Sequence, residues 1–124
     1  MATRFTVKTP VTRAMSDEFA MQTYTAMQQL TSRPTIEAWE AMAQVINLFA
    51  IATRDDKRRA SDFTVIHSGL VAMTEVEMNC RNGISLPDAQ LDKIRGAVNA
   101  IDNCVGKMSV EQLYAAMHEL NFLE

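Results

Sequence analysis

The residues with the most chemical potential in this chain are two histidines, two cysteines and one glutamate set among apolar neighbours. His67, Cys80, Cys104 and His118 are of the types that bind zinc, whose ligands in small sites come in pairs roughly two to four residues apart. Here His67 and Cys80 stand 13 residues apart, and Cys104 and His118 fall on two other segments, so no pair has that spacing. The expected reading is two small core thiols and two unrelated histidines, with no metal ligand. A nucleophilic Cys–His pair has no better support, because nothing adjacent in sequence lowers either thiol's pKa.

Glu77 lines up with Phe63, Leu70 and Met73 on the apolar side of one helical segment. A carboxylate in that position must find a partner or keep its proton. Arg81 follows it by one turn, the favourable order for an ion pair on a helix. His67 lies ten residues away. That is about 15 Å along a helix axis, too far to make an acid–base pair with Glu77. Structural pairing with Arg81 is therefore expected.

Nucleotide and hydrolase motifs are missing. The four glycines at 69, 83, 96 and 106 form no phosphate loop, and there is no H-E-x-x-H, no G-x-S-x-G and no calcium loop. No catalytic residue and no cofactor is expected. Gly96 falls inside a helical segment, where it marks either close approach of another backbone or drift.

The charge burst Arg54, Asp55, Asp56, Lys57, Arg58, Arg59 has four basic and two acidic side chains. It reads as a solvated turn whose aspartates cap the next helix, with a partner-facing or phosphate-facing knob as the functional alternative. It follows a run, residues 41–52, in which only Gln44 and Asn47 interrupt an apolar string. That run is too short to cross a hydrocarbon core needing about 20 residues, and Glu40 and Arg54 close it at both ends.

The elements that must position these residues are helices. Nine methionines against four glycines and three prolines favour helix over sheet. Breaks at Pro34, at the charged burst, at Asn82-Gly83 with Pro87, and at Gly106 predict five helices near 12–31, 35–54, 56–81, 86–105 and 109–121. Thr35 caps the second, Ser85 with Pro87 opens the fourth, and Ser109 with Gln112 makes a capping box for the fifth. The arm RFTVK alternates like a strand, and lies over the helices or pairs with another chain.

Helical spacing assigns the buried faces. Leu91, Ile94, Val98, Ile101 and Val105 mark one outer helix, Val110, Leu113, Met117 and Leu120 another, and Met15, Phe19, Ala26 and Leu30 the first. The second helix confines its polar residues Glu37, Glu40, Gln44, Asn47 and Arg54 to one stripe, with Trp39, Met42, Val45, Ile46, Leu48 and Phe49 around the remainder. A helix apolar on three sides must be covered on three sides, by its own chain or partly by a second copy. The expected fold is all-α: a single-domain bundle of about five helices over 12–124, with a hydrophobic central second helix and an extended N-terminal arm over 1–11.

At 124 residues the chain fits one domain that buries about two-thirds of its unfolded surface without needing a disulfide or metal. A net charge of −3 argues against a general electrostatic grip on nucleic acid or an anionic membrane. The opening residues carry no apolar secretory core, so a cytoplasmic location with reduced thiols is expected.

Small size, mild acidity and the missing catalytic constellation point first to a non-catalytic protein–protein interaction module. Its versions are an adaptor or assembly subunit, and a stoichiometric inhibitor of the kind phages and mobile elements direct at a host defence complex. The residues expected to meet a protein partner are Glu40, Gln44, Asn47, Arg54, Lys57, Arg58 and Arg59. Phe5, Val7, Leu48 and Ile51 are those expected at a contact between copies, should the chain form a homodimer. A dimeric nucleic-acid-binding regulator using Lys57, Arg58 and Arg59 stands second, and a small helical enzyme third.

Overall fold

The computed structural model describes residues 9–123, with side chains to Asn121. Five helices form it: α1 (Arg13–Ser32), α2 (Ile36–Arg54), α3 (Ala60–Arg81), α4 (Asp88–Val105) and α5 (Val110–Leu123). The bundle and its all-α character are as expected from sequence.

Local side chains decide where these helices begin and end. Thr12 and Thr35 accept hydrogen bonds from the N–H groups of Met15 and Ala38, at 3.2 and 3.1 Å, each satisfying a donor that the first turn leaves without an intrahelical partner. α3 ends at Arg81 and is stopped by Gly83, whose φ of 65° lies in the left-handed region that its missing Cβ allows. The Ile84 N–H donates to the Asn79 carbonyl at 2.8 Å and the Gly83 N–H to that of Cys80 at 3.4 Å, the paired closure that seals a helix C-terminus. At α5 the capping box is complete: Ser109 Oγ accepts from the Gln112 N–H at 3.1 Å, and Gln112 Oε1 accepts from the Ser109 N–H at 3.1 Å.

Two boundaries differ from expectation. α3 starts at Ala60, because Asp56 caps a short 3-10 turn, Lys57–Arg59, accepting from the Arg58 N–H at 3.0 Å. α4 has Pro87 at its N-cap position, and Ser85 makes no cap; its carbonyl receives the Asn79 side-chain amide instead, at 3.1 Å.

α2 is the central helix, in contact with each of the other four. Met42, Ile46 and Phe49 are fully enclosed, and Phe49 meets the edge of Phe19 with ring centroids 5.2 Å apart. Leu30 of α1, Ile66 and Met73 of α3, Ile94 and Ile101 of α4 and Leu113 of α5 complete one continuous core. The Trp39 indole N–H donates to the Met73 carbonyl at 2.7 Å, tying α2 to α3.

The described end of the arm pairs within its own chain. Thr9 and Val11 bracket an isolated antiparallel bridge between Pro10 and Ser109, the Val11 N–H donating to the Met108 carbonyl and the Val110 N–H to that of Thr9. Phe5 and Val7, expected at a contact between copies, lie outside the described residues.

Candidate functional groove and charged turn

Most of the polar stripe of α2 remains uncovered. Glu40 and Gln44 are exposed and Asn47 is half-buried, and the three share a shallow cleft with Trp39 and Leu120. Gln44 also lines two adjoining clefts. One, about 580 Å³, runs between α1 and α2 and has Met21, Ala38 and Ala41 in its lining. The other, about 350 Å³, carries on towards α5 through Phe19, Leu48 and Met117. Gln22, Gln44 and Val45 are common to both, so the clefts join into one groove along α2.

The second site residue group gathers at the far end of α2. Arg54, Lys57 and Arg58 line a cleft of about 500 Å³ with Ile51 and, from α5, Gln112 and Glu119. Its cations are mostly engaged. Arg54 makes two parallel hydrogen bonds to the Glu119 carboxylate, at 2.7 and 2.9 Å, the bidentate arrangement for which the guanidinium is shaped. Those bonds hold the Glu119 carboxyl below its usual range and push the Arg54 pKa upward.

Arg58 folds back on Asp56 at 3.2 Å, while Gln112 donates to the other Asp56 oxygen at 3.0 Å. Burial pushes the Asp56 carboxyl up, but the hydrogen bonds from Arg58 and Gln112 outweigh it and leave the group lowered. Lys57 forms no ion pair among the described residues.

Three of the expected site residues have defined surroundings. Arg59 does not join the exposed knob: its side chain is 18% exposed and pairs with Asp62 at 3.7 Å. Leu48, expected at a contact between copies, is 6% exposed and lies at the bottom of the cleft between α1 and α5. Ile51 is half-buried and lines the same cleft as Arg54 and Glu119. The internal neutralisation of Arg54, Arg58 and Arg59 removes most of the local cationic excess on which a phosphate-facing surface depends.

Glu77 and Arg81 pair as the spacing predicts, at 2.7 Å. Cys80 and Cys104 are buried, and burial pushes the Cys104 thiol up to about 12. No cluster of three or more metal-ligating side chains occurs among the described residues. No helix among them is long and apolar enough to cross a membrane.

Sequence reasoning missed the residues that other helices supply: Met21 and Gln22 of α1, and Glu119 and Leu120 of α5. Met21 is 71% exposed, yet its helix position alone does not say that α2 leaves a groove beside it. Gln112 was legible as a cap, but its bond to Asp56, 56 residues away, has no local signature. Comparison with protein-family models, with curated proteins and with solved structures finds no match to this chain.

Proposed function

We propose that this chain is a non-catalytic protein-interaction module and that the groove along α2 is the surface it presents. The observation carrying this reading is the position of Gln44, shared by three adjoining clefts on the one stripe of the central helix that the bundle leaves open. A groove with apolar side chains in its floor and amides or carboxylates on its walls suits recognition of another macromolecule. Burial of the floor supplies affinity and the polar walls supply register. The walls also keep the surface hydrated when no partner is bound.

A photo-activatable phenylalanine derivative in place of Gln44 tests this in the cells that make the protein. The expected result is a discrete protein adduct from position 44 and none from the same group at Val71, on the outer face of α3. No adduct at 44, or the same adducts from both positions, overturns the reading. The activity of the captured protein with and without this chain separates an adaptor from a stoichiometric inhibitor.

A further inference from the structure

The α1/α2 end of the groove carries a charge pattern that selects its occupant. Glu18 and Glu37 line the groove, Asp17 flanks exposed Met21 on the other side of α1, and Glu40 stands on the same stripe of α2. None of these four carboxylates takes part in an ion pair among the described residues, whereas Asp56, Asp62, Glu77, Asp92 and Glu119 are each matched to an arginine; Glu75, Asp88 and Asp102 are also without an ion pair but do not line the groove. Glu37 sits in the first turn of α2, where a negative charge favours the helix, but that accounts for neither Glu18 nor Glu40. No cation lines the groove.

Size and floor chemistry narrow the occupant further. The α2 wall runs from Glu37 to Val45, eight residue steps, and the α1 wall from Glu18 to Gln29, eleven steps. At the standard rise those walls are about 12 and 16 Å long, two to three helical turns. Ala26, Ala38 and Ala41 keep the floor shallow enough for a helix to approach closely, and Met21 adds an adaptable apolar contact. Both walls are helices, with no strand edge to extend, so an added β-strand would find no ladder. Nucleic acid would meet uncompensated negative charge.

We infer that this end of the groove binds a basic amphipathic helix of a partner protein, a reading that rests on the interaction function proposed above. The apolar side of that helix lies on the alanine floor and Met21, and its lysines or arginines reach Glu18, Glu37 and Glu40. Charge attraction steers the encounter and rejects acidic partners.

The test uses the whole chain and a synthetic amphipathic peptide of about three turns, leucines on one face and lysines on the other. Fluorescence anisotropy is expected to show saturable binding that weakens with salt, and no binding of the same peptide with glutamate in place of lysine. The triple variant Glu18→Gln, Glu37→Gln, Glu40→Gln is expected to lose at least about tenfold in affinity, while Glu75→Gln with Asp88→Asn, which removes two carboxylates outside the groove, binds as the wild type does.

Absent binding, equal binding by the triple variant, or an equal loss in the control variant overturns the inference. Adduct formation at position 44 remains the separate measure of the interaction reading. If position 44 captures a partner but the basic peptide does not bind, this inference alone fails; if neither occurs, both fail.

Discussion

Gly69 of α3 lies directly against Ala97 of α4, so that a methyl group built on Gly69 would overlap the Ala97 side chain and lie 3.2 Å from the Lys93 carbonyl oxygen. The hydrogen on Gly69 is what lets the two helices meet so closely. Gly69→Ala is expected to destabilise the fold by about 1–3 kcal/mol, because the atom it strikes is fixed to the α4 backbone and cannot swing away. Gly96→Ala has the opposite sign: its methyl would meet only Val65 Cγ1 at 3.5 Å, ordinary contact, and the helix gains about 0.5–1 kcal/mol. Urea unfolding of the two variants checks the order, and a stabilising Gly69→Ala would contradict the packing.

The enclosed and open sides of α2 are separated by a second pair of substitutions. Phe49→Ala removes a fully buried ring and its edge contact with Phe19, which costs about 3–5 kcal/mol. Leu48→Ala is expected to cost about 2–5 kcal/mol, as suits a core residue and not a free contact between copies. Gln44→Ala, on the open stripe, stays within about 0.5 kcal/mol of wild type. A Leu48→Ala variant as stable as Gln44→Ala would return Leu48 to the surface.

What was legible in the sequence was whatever depends on neighbours three or four residues apart. The Ser109–Gln112 box, the Glu77–Arg81 pair and the left-handed Gly83 all follow from local geometry that every helix repeats. The hydrophobic centre of α2 was readable for the same reason, since a narrow polar stripe implies three covered sides. Leu48 was not, because a helical wheel places it only relative to its own stripe. Its burial depends on where α1 and α5 cross. The Arg54–Glu119 pair, 65 residues apart, and the choice of Gly69 over Gly96 as the point of close approach are likewise set by packing.

Gln112 joins two elements through one side chain, accepting from the Ser109 N–H and donating to Asp56. Gln112→Ala is expected to cost about 1–2 kcal/mol, more than a helix cap alone, since Asp56 is left mostly buried with one hydrogen bond fewer. A double-mutant cycle with Asp56→Ala should show coupling between the two sites. Strict additivity would mean that the turn and α5 are energetically independent.

Stability should fall at both ends of the pH range. Asp56 and Glu119 are held below their ordinary pKa values, so the stability they confer is present above about pH 4 and is lost as pH falls through their folded-state values. Cys104 acts in the other direction. Its folded pKa is raised to about 12, so the unfolded chain ionises first and stability declines as pH rises from about 9 towards that value. Urea midpoints from pH 3 to 11 check both limbs, and the alkaline decline should be shallower in Cys104→Ala. An alkaline limb unchanged by that substitution would assign it to another group.

The cleft at the end of α2 holds three cations, Arg54, Lys57 and Arg58, and three carboxylates, Asp55, Asp56 and Glu119. Its near-zero local charge follows from pairing and not from a lack of basic residues. Removing two of those carboxylates, by Asp56→Asn with Glu119→Gln, leaves three cations against Asp55 alone, which stays 3.4 Å from Arg54, within a single concave surface. Wild-type protein is expected to pass a heparin column at low salt, because a polyanion finds no net positive field there. The double variant should be retained and elute later. Adding Lys57→Gln to it should bring elution forward again, since each cation lost removes a counterion-releasing contact. If the double variant elutes with the wild type while its circular dichroism is unchanged, the pairing of Arg54 and Arg58 is not what keeps this cleft from binding polyanions.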